Sequence, residues 1–156
     1  MRQYAQGTSV SAFQSAVEIQ QMLRKHGCGN LGSMDVDGRT IIMFGLGGLT
    51  YRIEAPLPNP SDERWVALGG GGYSRGDFKQ SAYDAECQRL WRSMVLITKA
   101  KLVAIQDGVE TFEEAFMPYI VVGGGMTLRE TLLPQIKEAA ALGNIPSQLA
   151  LPGVTK

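Results

Sequence analysis

The chemistry-bearing residues of this chain are cations spaced for one side of a helix. Arg89, Arg92 and Lys99 are separated by three and seven residues, so a helix places all three on the same side. Their charges can neutralise phosphates, and a nearby aromatic ring can stack on an unpaired base. The pattern predicts a surface that binds single-stranded nucleic acid or a partner protein. Three residues outside that helix complete the predicted contact set: Arg52, Arg64 and Trp65.

Two aliphatic residues, Leu96 and Val103, fall among these cations on the same side of the helix. A purely solvated face would carry fewer exposed aliphatics, so the pattern favours a second contact surface. The alternative is that arginine and lysine stems lie over a neighbouring element of the same chain. Lys101 falls on the other, apolar side, where a lysine usually extends its amino group to the edge of the core.

The chain offers no convincing catalytic or metal site. His26 is the only histidine, and Cys28 is too near it in sequence to suggest a catalytic dyad or, without further ligands, a zinc site. A capping role at a helix end suits His26 better. Paired carboxylates such as Glu113 and Glu114 stand at capping or turn positions. We therefore predict no catalytic residue, no metal and no cofactor, and rank an enzyme third among the classes of function.

Two glycine-rich stretches resemble phosphate-binding loops only superficially. Gly69–Gly72 lacks the Lys-Ser/Thr that ends a P-loop, so we interpret it as a mobile arm. Gly123–Gly125 precedes a helix start but misses the G-x-G-x-x-G spacing, and ordinary turn chemistry explains it.

One long helix, from Phe78 to Asp107, must position the cations. It has no Gly or Pro and an apolar stripe at helical spacing.

The other elements are predicted from local signals. Ser11 and Gln14 have the spacing of a capping box that opens a first helix to Lys25, with Phe13 on its predicted buried face. Asp37-Gly38 predicts a hairpin turn. The other predicted elements are strands at 31–36, 39–46 and 49–54, and helices from Thr111 and from Thr127, the latter kinked or restarted at Pro134.

This order predicts an α+β fold: an N-terminal helix, a three-stranded antiparallel β-meander packed on one long central helix, and small C-terminal helices. Residues 1–156 form a single domain, with a flexible loop at about 55–76 and an extended tail at about 144–156. The long helix exceeds what such a sheet can cover. We therefore predict a homo-oligomer, most simply a dimer; the alternative is that the C-terminal helix and tail cover the same surface.

Composition excludes several classes of protein. Fifteen basic and fifteen acidic residues cancel, which argues against a histone-like binder and against an acidic DNA mimic. Cys28 and Cys87 are far apart, which favours reduced thiols in a cytoplasm. No apolar run approaches the length of a membrane span, so no membrane association is predicted.

Three motifs in the C-terminal half resemble a known family: Arg89-Leu-Trp-Arg92, Lys99-Ala-Lys-Leu102 and Gly108–Phe116. They are similar to a series found in small, largely uncharacterised proteins of tailed bacteriophages and prophages. The resemblance covers about residues 9 to 142 and implies a phage origin and a host cytoplasm. Together with the basic and aliphatic side of the long helix, this origin leads to two hypotheses: a phage accessory protein that binds nucleic acid, most simply single-stranded DNA, in DNA metabolism or recombination, or a phage protein that inhibits or sequesters a component of bacterial anti-phage defence.

Overall fold

The computed structural model of the chain describes residues 4–36, 39–68 and 75–143. Its fold is α+β, as predicted. Three predictions concern residues outside the described ranges: the Asp37-Gly38 turn, the arm at Gly69–Gly72 and the tail from residue 144. The helices are α1 (Ala12–Lys25), α2 (Gln80–Gln106), α3 (Phe112–Phe116) and α4 (Leu128–Ala141), and the strands are β1 (Gly29–Val36), β2 (Arg39–Leu46), β3 (Leu49–Glu54), β4 (Val66–Leu68) and β5 (Arg75–Phe78).

Helix starts follow the capping chemistry read from the sequence. Ser11 caps α1, Thr111 caps α3 and Thr127 caps α4, each in a complete capping box with the Gln or Glu three residues later. Gly27, at φ 84°, ends the first helical segment in the left-handed region that glycine adopts without strain. The predicted boundaries of α1 and α2 are confirmed to within two residues.

The predicted meander is confirmed. Strands β1, β2 and β3 lie in that order in one antiparallel sheet, with Phe44 opposite Tyr51 in the β2–β3 register. The register of β1 against β2 shifts between Gly29 and Gly32, where Asn30 has a positive φ of 48°. This β-bulge lies at the start of the edge strand.

The core lies between one face of the sheet and helices α1, α2 and α3. Ile19 of α1, Trp91 of α2 and Phe116 of α3 pack with Phe44 and Tyr51 from the sheet, and each is almost fully buried. The Phe44 and Tyr51 rings stack at 5.1 Å between centroids. Burial raises the pKa of the Tyr51 phenol, whose hydroxyl has no hydrogen-bond partner among the described residues.

Three details differ from the sequence predictions. Phe13 is 72% exposed, because the buried stripe of α1 runs through Ala16, Ile19 and Leu23, about 60° to 120° around the helix from it. Residues 63–68 lie in the predicted loop, for which a short edge strand at 64–66 is the alternative prediction; they form a 3-10 turn at Glu63–Trp65 and then β4, which pairs with β5. Helix α4 begins at Leu128 and continues through Pro134 instead of restarting there.

Candidate interaction surfaces

Three of the predicted contact residues, Arg64, Trp65 and Arg89, gather around Glu86. Arg89 donates to both carboxylate oxygens of Glu86 at 2.7 Å, and these bonds hold the pKa of Glu86 below its ordinary range. The positive charge of Arg64 lowers that pKa further. A small hollow of about 300 Å³ opens beside Trp65, Glu86 and Arg89. The cluster binds its own carboxylate tightly, so its net charge is lower than its arginines suggest.

Trp65 does not present the free ring that base stacking requires. It is 7% exposed, and its indole N–H donates to the carbonyl of Asn59 at 3.1 Å. The Arg64 guanidinium covers one ring face at 4.4 Å, and Tyr83 packs edge-on with ring centroids 5.5 Å apart. The predicted stacking role therefore conflicts with this geometry, because the ring is part of the packing between the 3-10 turn and α2.

Arg92 is also not free, contrary to the prediction that it faces away from the fold. Its Nη1 donates to the carboxylate of Glu18 on α1, and its side chain is only 20% exposed. The exposed side of α2 near this residue therefore lies against α1. Here the alternative interpretation from the sequence holds, in which an arginine joins two elements of the same chain.

Arg52 lies apart from the other predicted contact residues and fastens α4 to the sheet. From β3 its Nη1 donates to the carbonyl of Gly125 at 2.7 Å, and its Nη2 donates to both oxygens of Glu130 on α4. Its remaining donor, Nε, is buried without a partner among the described residues. The side chain therefore links β3 to α4.

The exposed stripe predicted on α2 is present in its C-terminal half. Leu96, Ile97 and Val103 are 45%, 42% and 47% exposed, and Lys99 and Ala100 are exposed beside them. Lys101, on the other side, donates from Nζ to the carbonyl of Ala115 at 2.5 Å, as expected of a lysine at the edge of the core. We call Leu96, Ile97, Lys99, Ala100 and Val103 the α2 stripe.

Helix α4 carries a surface that sequence reasoning missed. None of its residues is buried, although apolar residues recur along one side of it. Leu128 and Leu132 are half-buried, whereas Leu133 and Ile136 are each 42% exposed and Ala140 is exposed. A hollow of about 520 Å³ lies against Leu133. Plotting α4 on a helical wheel would have shown this apolar side, defined here by Leu133, Ile136 and Ala140 as the α4 face.

A hollow of about 700 Å³ lies between the sheet and the proline-rich segment after β3. Its ionisable lining residues are Arg39, Glu54 and Tyr83. Burial raises the pKa of the Tyr83 phenol, which donates to the carbonyl of Pro58 at 3.3 Å. These groups can hold a polar ligand, but they do not pair a nucleophile with a base.

The described ranges contain no group of three or more His, Cys, Asp or Glu residues that could hold a metal ion. Both cysteines are unpaired thiols, and burial raises the pKa of Cys28 to about 11, which makes its reactive thiolate scarce. Within the same ranges, no helix combines the length and apolar character needed to cross a membrane.

The chain has no significant similarity to a family model, to a curated protein or to a solved structure.

Proposed function

We propose that this protein works by binding a protein partner through the α4 face. The observation that carries this proposal is that α4 has 14 residues, an apolar side and no buried residue. A helix of that length is marginal in water unless packing covers its apolar side. In this chain Arg52 attaches the helix to β3 through Glu130, while Leu133 and Ile136 remain exposed to solvent.

The chemistry of the α4 face suits an apolar groove on the partner. A helix with side chains at i, i+3 and i+7 on one side is the standard ligand of such grooves. Leu133, Ile136 and Ala140 have that arrangement, and Lys137 at the edge can reach an acidic rim. The resemblance to phage-encoded proteins suggests the partner's origin: we propose a component of bacterial anti-phage defence that the protein inhibits or sequesters.

The test is capture of a host protein on the immobilised full chain, compared among three versions. The wild type should retain a protein that Leu133→Lys/Ile136→Lys loses by at least tenfold, since two lysines would then enter an apolar groove. The matched control is Gln135→Lys/Glu138→Lys, which adds two lysines to the polar side of α4 and should retain it. Circular dichroism of all three checks that α4 remains helical. The proposal fails if Leu133→Lys/Ile136→Lys and the control retain the same proteins.

A second candidate is the binding of single-stranded nucleic acid, favoured by two exposed cations, Arg64 beside the N-terminal half of α2 and Lys99 farther along that helix. Fluorescent single-stranded and duplex oligonucleotides titrated at 50 and 200 mM salt test it. Phosphate contacts release counterions, so affinity should fall steeply as salt rises. Arg64→Glu/Lys99→Glu should remove binding, while Arg24→Glu/Lys25→Glu, at the exposed end of α1, serves as the matched control. No binding at 50 mM salt rejects this candidate.

A further inference from the structure

The hollow beside the proline-rich segment has its floor on the outer face of the sheet. Side chains alternate along a strand, and Ile42 is buried in the core, so its neighbour Ile41 lies on the opposite face. Glu54 is opposite Ile41 in the β2–β3 register, and Arg39 is two residues before Ile41 on β2. All three line the hollow of about 700 Å³. Its floor is therefore an aliphatic side chain with a cation and a carboxylate beside it.

The two charges beside Ile41 have no partners in the fold. Arg39 and Glu54 are diagonal neighbours on adjacent strands, where opposite charges usually attract. Yet neither side chain has an ion-pair or hydrogen-bond partner among the described residues, whereas Arg52, farther along the same face, is paired with Glu130. Both charges therefore remain available to a ligand in the hollow.

The opposite wall is held in place by side chains from other elements. Tyr83 on α2 donates to the carbonyl of Pro58 at 3.3 Å, and the indole N–H of Trp65 donates to the carbonyl of Asn59 at 3.1 Å. Pro58 and Pro60 line the hollow, and their rings fix the backbone φ angle. A wall fixed in this way gives a preformed pocket, which is typical of small-molecule sites.

The volume and the lining indicate the chemical class of the ligand. A volume of about 700 Å³ lies within the range of small-molecule pockets. A guanidinium binds a carboxylate through paired hydrogen bonds, and a carboxylate binds an ammonium group. Val36, Ile41 and Leu57 supply the apolar part of the lining. A free amino acid with a large apolar side chain has all three complementary parts in one molecule.

We propose that this hollow binds a zwitterionic amino acid with a large apolar side chain, whose carboxylate pairs with Arg39 and whose ammonium group pairs with Glu54. The side chain of the ligand lies on Ile41 and Leu57. The lining residues come from the strands, the proline-rich segment and α2, and none comes from α4. The proposal therefore stands independently of the proposed function.

The first measurement is the binding of L-leucine to the full chain, followed by NMR shifts of the backbone amides up to about 50 mM ligand. The amides of β2 and β3 beside the hollow should shift with a dissociation constant of about 1 mM or lower. L-Alanine, which has three carbons fewer, should bind about tenfold more weakly. N-Acetyl-L-leucine has no ammonium group and L-leucine amide has no carboxylate, so each should also bind at least tenfold more weakly. The proposal is overturned if L-leucine shifts none of these amides, or if both blocked forms bind as tightly as L-leucine.

Two substitutions assign the two ends of the ligand. Arg39→Gln should weaken the binding of L-leucine at least tenfold but should not weaken that of L-leucine amide, which has no carboxylate for the guanidinium. Glu54→Gln should weaken L-leucine similarly but should not weaken N-acetyl-L-leucine. Neither side chain has a partner among the described residues, so both variants should fold, which circular dichroism checks.

The matched controls are Arg24→Gln and Glu110→Gln, which remove one charge of each sign outside the hollow and should leave the binding of L-leucine unchanged. The assignment of the two ends is overturned if Arg39→Gln or Glu54→Gln binds L-leucine as the wild type does. It is also overturned if the controls weaken binding equally, because the effect then comes from the overall charge of the protein.

Discussion

Arg52 on β3 donates from Nη2 to both carboxylate oxygens of Glu130 on α4, at 2.5 and 2.6 Å. The same Glu130 completes the capping box by accepting from the backbone N–H of Thr127 at 2.7 Å. A single carboxylate therefore both starts the helix and attaches it to the sheet. This double role explains how a helix without buried side chains keeps a defined position beside β3.

Arg52→Ala should loosen α4 without unfolding the core. The ion pair is partly exposed, so its loss should cost on the order of 1 kcal/mol, or about a fivefold increase in the opening of α4. Hydrogen exchange should show this as about fivefold faster exchange of the α4 amides, with unchanged exchange in β2. Arg129→Ala, on the same helix, is the control. Equal amide exchange of α4 in the wild type and in Arg52→Ala would show that Arg52 does not attach α4 to the sheet.

Acid should detach α4 as well. Hydrogen bonds from Thr127, and then the charge and hydrogen bonds of Arg52, hold the pKa of Glu130 below its ordinary range. A carboxyl whose pKa is lowered by folding contributes stability above its ordinary pKa of about 4.3 and loses it as pH falls through the lowered value. Exchange of the α4 amides should therefore rise between pH 5 and 3 relative to the intrinsic rate. Glu130→Gln should show faster exchange at pH 6 and a flatter dependence; an identical pH profile would refute the role of this carboxylate.

Reversing the charge of Arg92 should destabilise the fold, although the position of Arg89 and Arg92 away from the apolar stripe of the long helix predicts from sequence that reversing both leaves folding almost intact. Arg92→Glu places two carboxylates together between α1 and α2, because Glu18 is its partner. We expect a loss of about 1 to 2 kcal/mol in urea unfolding. Glu18→Arg/Arg92→Glu should recover at least half of it, and a double-mutant cycle measures the coupling. Additive losses would show that the pair does not interact.

Removing the hydroxyl of Tyr51 should not weaken the fold. The side chain is fully buried, and its oxygen has no hydrogen-bond partner among the described residues, so the hydroxyl is desolvated without compensation. Tyr51→Phe should leave the free energy of unfolding unchanged or raise it by up to about 1 kcal/mol. Tyr51→Leu is the contrasting variant, because it also removes the ring stacked on Phe44 and should be destabilising. A loss above about 1 kcal/mol in Tyr51→Phe would show that the hydroxyl has a partner.

Tryptophan fluorescence should report a packed ring rather than a binding platform. The chain has two tryptophans, and Trp65 and Trp91 are 7% and 1% exposed. Emission of the folded protein should therefore be shifted to the blue of the unfolded protein, and iodide should quench it poorly. If an oligonucleotide binds, it should leave the emission of Trp65 in a Trp91→Phe variant unchanged. Strong quenching by single-stranded DNA would restore the stacking role of Trp65.

The elements could be predicted because their signals are local. The capping boxes at Ser11, Thr111 and Thr127 and the uninterrupted helical run of α2 each lie within one segment of sequence. The partners of the arginines could not be predicted in this way. Arg52 and Glu130 are 78 residues apart, and Arg92 and Glu18 are 74 apart, so no periodicity relates them.

Trp65 illustrates the same limit, because contacts with other segments bury a side chain that was predicted to bind a base. The sequence predicts an exposed ring that stacks on a base, but the ring is covered by residues from the loop before it and from α2. The α4 face was missed for a different reason: its periodicity was visible, but only the structure shows that nothing in the described ranges buries it.

The bulge at Asn30 also bears on how copies of this chain avoid joining as one continuous sheet. Within the described residues, β1 is an edge strand, and an unbroken edge invites the strand of another molecule to add to it. The positive φ of Asn30 and the shifted register up to Gly32 interrupt the row of backbone donors and acceptors there. The interruption therefore disfavours the addition of a strand from another molecule along β1.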